Sequence, residues 1–181
     1  MAVFAILFSA LIHDVDHGGI SNGQLIKEQP NLASKYKNKS VAEQNSLDLA
    51  WNALMTPQFE RLRQFIFGTQ EELMRFRQLI VNIVLATDIF DKELNDLRKQ
   101  RWKRAFADSV PHPDKNDLKA TIVMEHIIQA SDVSHTMQHW HVYQKWNKCL
   151  FREMYSAYEQ GRMGSNPVDF WYQGELGFFD N

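Results

Sequence analysis

Hydrophobic positions recur at helical spacing along most of the chain. Residues 1–12 (MAVFAILFSALI) are apolar except at Ser9. This run is too short to span a bilayer, which takes about 20 residues. It has no basic flank and no small-residue cleavage site, so it does not read as a signal peptide. The pattern predicts a helix buried on every side, and such a helix needs neighbours all round. The reading therefore expects further helices upstream. Ser40-Val41-Ala42-Glu43 and Thr69-Gln70-Glu71-Glu72 have the spacing of capping boxes. Thr56-Pro57 reads as an N-cap followed by proline at N1. The second box opens residues 73–89, apolar on one side and then all round. Residues 121–129 and 142–158 repeat apolar positions with a helical period. Residues 29–39, 107–117 and 161–169, rich in Pro, Gly, Asn or Asp, read as loops within one domain. No hairpin signal stands between alternating apolar runs. The pattern predicts an all-α fold, a compact multi-helix bundle.

Composition narrows the function classes. The chain has 181 residues, 44% hydrophobic and 23% charged, with a formal net charge of −2. That is ordinary globular chemistry with enough apolar mass for a core. Lys and Arg form no stripe, so nucleic acid is not an expected partner. Cys149 is the only cysteine, which rules out an internal disulfide and suits a reducing compartment.

The densest polar cluster is His13-Asp14-Val15-Asp16-His17, directly after the apolar run. If it is helical, His13 and His17 share one face. His13 and the adjacent Asp14 can turn toward one divalent ion. The alternative is a polar helix end carrying capping charges. Asp132 also follows an apolar helix and can complete a metal site, though alone it reads as a cap or a solvated group. Glu43 has two roles open to it, the N3 position of a capping box or a holder of water. Thr87 and Asp88 end a buried stretch.

These residues carry a resemblance. His13 to Asn22 (HDVDHGGISN) resembles the HDxDHxGxxN signature of class I 3′,5′-cyclic nucleotide phosphodiesterases. Ser40 to Glu43 resembles that family's SVxE, and Ile83 to Asp88 its IxxTD. Ala130 to Ser134 resembles AxDxS, Tyr143 and Trp146 match YxxW, and Gly177 to Asp180 matches GFxD. The resemblance implies a helical domain with two divalent ions, zinc at one site and magnesium or manganese at the other. It makes His13, Asp14 and Asp132 ligands of the first ion, with Asp14 bridging to the second. His17, Glu43, Thr87 and Asp88 would orient metal-bound water and the ligands. Asn22, His135, Glu175 and Phe178 would lie at the substrate, with Phe178 stacking on the purine. Tyr143 and Trp146 are read as core. The implied reaction is hydrolysis of cyclic AMP or cyclic GMP to the 5′-monophosphate, in an intracellular setting or on the cytoplasmic side of a larger membrane protein.

Two departures matter. The family carries an HNxxH motif upstream of HDxDH that supplies a general acid and a further metal ligand. This sequence begins downstream of it, and His112, His126, His139 and His141 form no such motif. The reading therefore expects residues 1–181 to be one incomplete catalytic domain, impaired on its own. Glu175 stands where the family places a base-reading glutamine. A carboxylate accepts from the paired donors of guanine, so the expectation is a preference for cyclic GMP. The alternative to an enzyme is a phosphodiesterase-like binding or regulatory module without turnover. An HD-type hydrolase of other phosphate esters stands third.

Overall fold

The computed structural model describes residues 1–107 and 115–171, and every regular element among them is helical. Helix α1 (Ala2–Ile12) leads through a turn to α2 (Asn22–Glu28), α3 (Pro30–Lys35) and α4 (Val41–Leu54). A 3-10 turn at Pro57–Phe59 precedes α5 (Glu60–Ile66). Then come α6 (Gln70–Leu85), α7 (Lys92–Phe106) and α8 (Lys115–Asp132). A second 3-10 turn (Ser134–Met137) opens into α9 (Trp140–Glu159), and residues 167–171 are helical again. The expected all-α class is what the chain forms. Among the described residues no helix is long and apolar enough to cross a membrane.

α6 organises the core. Its buried residues Phe76, Ile80, Ile83 and Val84 fall on one helical face. Ala5 and Ile12 of α1, Leu47 and Leu54 of α4 and Ile128 of α8 pack against that face. The rings of Phe4, Phe8 and Phe67 surround Phe76 with centroids 6.0, 5.9 and 5.8 Å away, within the range of favourable aromatic pairs. Ala33, Tyr36 and Val41 form a smaller cluster that seats α3 on the start of α4.

Several expectations are corrected. α1 is buried on one side only, at Ala5, Ser9 and Ile12. Val3, Leu7 and Leu11, spaced by four, are 74%, 64% and 78% exposed and make an apolar stripe on the other side. α6 stops at Leu85 rather than running to residue 89, because Thr87 turns its N–H and hydroxyl back onto the Val84 carbonyl. Residues 29–39 contain α3, which Pro30 opens at N1. Of the predicted loop at 107–117, residues 108–114 lie outside the described residues and α8 already begins at Lys115. The loop at 161–169 turns helical at residue 167. Thr69 and Glu72 form the expected capping box, with both bonds at 3.2 Å. Thr56 occupies an N-cap position, but its hydroxyl donates back to the Ala53 carbonyl. Trp146, read as core, is 54% exposed, with the His135 ring 6.4 Å away on one side.

Candidate metal centre

The helix that carries His13 ends at Ile12. His13 still donates its amide to Ser9, but the chain then turns, with Val15 bonded to Ile12 and His17 to Asp14. Asp16 takes a positive φ of 64°. His13 and His17 therefore do not share a helical face, which corrects the reading from their spacing. α4 holds the turn from the side: Ser46 Oγ donates to the Val15 carbonyl at 2.7 Å, and Asn45 Nδ2 to Asp16 Oδ2 at 3.1 Å. Gly19 follows with φ +67°, and a Cβ there would meet the Glu153 side chain of α9 at 2.8 Å. No other residue fits that position without displacing Glu153. His17 is exposed, and its Nδ1 accepts from the Gly19 amide at 3.2 Å.

His13 is fixed in one tautomer. Its Nδ1 lies 2.9 Å from the Ala10 carbonyl, which can only accept, so Nδ1 carries the hydrogen. When the ring is neutral, Nε2 then presents a lone pair. It sits 3.4 Å from Asp14 Oδ2 and 3.4 Å from Asp132 Oδ1. Neither contact is a well-formed hydrogen bond, and Nε2 is buried without a hydrogen-bond partner. The Asp132 carboxylate nonetheless raises the His13 pKa to about 9, against burial, with the Ala10 carbonyl and Asp14 adding to the rise. These groups call for positive charge at Nε2, from a proton or from a metal ion.

The arrangement fits a metal in its donor chemistry. An imidazole that donates Nδ1–H to a backbone carbonyl is oriented as metal-bound histidines are. Donors around a tetrahedral zinc with bonds of about 2.0–2.1 Å stand roughly 3.3–3.4 Å apart. Both edges from His13 Nε2 match that spacing. Among the described residues, however, no three His, Cys, Asp or Glu side chains close into a finished cluster. Two carboxylates repel one another unless a cation screens them.

A second polar knot lies beside this centre. Asp88, 5% exposed, accepts from Ser40 Oγ at 2.7 Å and Asn22 Nδ2 at 3.4 Å through one oxygen. Its other oxygen accepts the amides of Phe90 and Asp91, each at 3.2 Å. Asn22 also donates to Glu43 Oε2 at 2.9 Å and accepts from the Ala42 amide. Burial pushes the Glu43 carboxyl up, Asn22 opposes that, and the Asp88 charge adds to it. The capping box expected at Ser40 is therefore not formed. Ser40 takes a left-handed backbone and gives its hydroxyl to Asp88, since a buried carboxylate is costly unless donors satisfy it.

The remaining candidates sit as follows. Thr87 is half-buried and its hydroxyl is engaged with Val84. His135 lies in the second 3-10 turn, 6.4 Å from the Trp146 ring. Glu175, Phe178 and His112 lie outside the described residues. His126 pairs its Nδ1 with the Ile122 carbonyl and lies against the Trp102 ring at a tilt of 51°. The cleft between α4 and α6, lined by Leu47, Trp51, Arg77 and Leu85, contains none of these residues.

Comparison with known proteins settles the family. Residues 1–175 match the family described as 3′5′-cyclic nucleotide phosphodiesterase. The chain belongs to that family. A similar relative is the "Probable 3′,5′-cyclic-AMP phosphodiesterase pde-4" of Caenorhabditis elegans, 30% identical over 156 residues, covering 84% of this chain and 23% of the relative. Another is the dual specificity calcium/calmodulin-dependent 3′,5′-cyclic nucleotide phosphodiesterase 1B of Rattus norvegicus, 29% identical over 153 residues, covering 84% and 26%. The crystal structure of the phosphodiesterase domain of the RhoPDE fusion protein from the choanoflagellate Salpingoeca rosetta has the same fold, with a TM-score of 0.73 and 22% identity, covering 88% of this chain and 49% of that one. The chain spans about a quarter of the length of these curated relatives.

Proposed function

We propose that this chain is part of a single phosphodiesterase catalytic domain that hydrolyses 3′,5′-cyclic nucleotides, cyclic AMP or cyclic GMP, to 5′-nucleoside monophosphates. The observation that supports this reading is the buried His13 Nε2, without a hydrogen-bond partner, 3.4 Å from the carboxylates of Asp14 and Asp132. His13, Asp14 and Asp132 would hold zinc, and Asp14 would share a neighbouring magnesium or manganese. Such ions lower the pKa of water and neutralise phosphate charge. The protein's own part is geometric. Glu43, held by Asn22, and His17 orient water, while Asp88 anchors Asn22. Thr87 fixes the turn that carries Asp88. His135, Glu175 and Phe178 are assigned to the nucleotide, with Glu175 favouring guanine. In the reaction, water oxygen bonds to phosphorus, the bond to the 3′ oxygen breaks, and that oxygen takes up a proton. We assign the protein to the intracellular space or to the cytoplasmic side of a larger membrane protein.

The test begins with chelator-treated protein. Zinc binding by calorimetry is expected to fall at least about a hundredfold in H13A and D132A, more than for an orienting residue. Turnover of both nucleotides is then measured for residues 1–181 and for the same chain with its adjoining native sequence. Slow turnover by the shorter form and metal-dependent turnover by the longer one are expected. Zinc binding unchanged in H13A would sink the site. Metal binding without turnover in either form would favour the non-catalytic module.

A further inference from the structure

The connection from α6 to α7 carries Thr87 and Asp88, and side chains from other helices hold its carbonyls one by one. Leu85 accepts from Arg98 Nη2, and Ala86 from Gln129 Nε2 of α8 at 2.7 Å. The Asp88 carbonyl accepts from Arg98 Nη1 at 3.5 Å, and the Ile89 carbonyl from Asn95 Nδ2 at 2.6 Å. Arg98 Nη1 also donates to Asn95 Oδ1 at 2.8 Å. Asn95 and Arg98 are one helical turn apart on α7, so a single face of that helix grips the connection. The longest of these contacts is at the limit of a hydrogen bond, so the grip rests on the Leu85 and Ile89 carbonyls that bracket Thr87 and Asp88.

Packing alone does not explain an arginine here. α7 is a polar helix that buries only Ala105, yet Arg98 is half-buried. A buried guanidinium needs compensation. It finds carbonyls at the C-terminus of α6, where the helix dipole is negative. Glu125, Asp88 and Asp91 add favourable charge. The next turn of α7 is fixed by Arg101, which pairs at 2.8 Å with Glu125, itself 1% exposed on α8. α8 ends at Asp132, so α7 is braced against both segments that flank the candidate centre.

We infer that Arg98, seated on Asn95, is a positioning residue for the proposed reaction. It fixes the 85–89 backbone so that the Asp88 carboxylate meets Ser40 and Asn22, and through Asn22 it sets Glu43. The inference rests on the phosphodiesterase reading for its consequence, and on geometry alone for its mechanism.

The experiment therefore has two readouts. In the full protein, hydrogen exchange is followed at the amides of Phe90 and Asp91, which donate to Asp88. R98A is expected to speed exchange there about tenfold or more while the α6 amides of Phe76 and Ile80 keep the wild-type rate. R98K keeps one charged donor and is expected to fall between, which also serves if R98A folds poorly. K99A, changing an exposed neighbour, is expected to match wild type. In turnover, R98A is expected to lower kcat about tenfold with KM within about twofold, since a displaced orienting group costs rate rather than binding. Unchanged exchange at Phe90 and Asp91 overturns the inference. So does exchange that rises equally throughout α6, or faster local exchange with unchanged kcat. A wild-type protein without turnover defeats the phosphodiesterase reading alone, and exchange then decides the role of Arg98 in holding Asp88.

Discussion

At the scale of single residues, Ser40 shows how local signals mislead. Its spacing from Glu43 is that of a capping box, yet its hydroxyl is 2.7 Å from the buried Asp88 carboxylate, 48 residues away. Without it, that oxygen keeps only the 3.4 Å contact from Asn22. Removing a hydroxyl that satisfies a buried carboxylate costs about 1–3 kcal/mol. S40A is expected to lower stability in urea by that amount with an unchanged m-value. A loss below about 0.5 kcal/mol, the range of an ordinary surface substitution, would show that the bond is dispensable. His13, Asp14 and Asp132 were legible because their motifs stand in the sequence in order. The Ala10 carbonyl that sets the His13 tautomer was not, because backbone acceptors leave no mark on residue identity.

At the scale of elements, periodicity located the helices and failed at their ends and sides. The 3.6-residue repeat of α6 is plain in the sequence, and its buried face is the one the structure uses. Its end was misread because Ile89 is apolar, while the stop is imposed by Thr87 folding back on Val84. In α1 nearly every position is apolar, so no repeat distinguishes buried Ala5 and Ile12 from exposed Leu7 and Leu11. α6 is also where the core is most sensitive. Phe76 is fully buried among three other phenylalanine rings, and truncating such a residue costs about 3–5 kcal/mol. F76A is expected to lose that much in chemical denaturation, whereas F65A, at an exposed position, is expected to lose under about 0.5 kcal/mol. Equal losses in the two would mean that α6 is not the centre of the core.

At the scale of the molecule, a long-range ion pair ties α2 to the segment after α9. Arg162 donates to both oxygens of Glu28, at 2.8 and 2.6 Å, across 134 residues. The Arg162 bonds, helped by Gln24, hold the Glu28 pKa down at about 2, against an ordinary value of 4.5. A depressed carboxyl pKa stabilises the fold above the ordinary value, and the contribution is lost as pH falls through about 2. In R162A the Glu28 carboxyl, followed by NMR, is expected to titrate higher, back toward 4.5, with Gln24 still opposing part of the rise. A midpoint unchanged by the substitution would show that Arg162 is not the cause. The same span has a consequence in time. His13 and Asp14 are translated long before Asp132, and chains grow at about 5–20 residues per second. A nascent chain thus holds two of the three proposed ligands for roughly 6–24 s with no third to complete them. Closing so long a loop also slows folding. If these three side chains hold a metal, all three can act together only once Asp132 has been made.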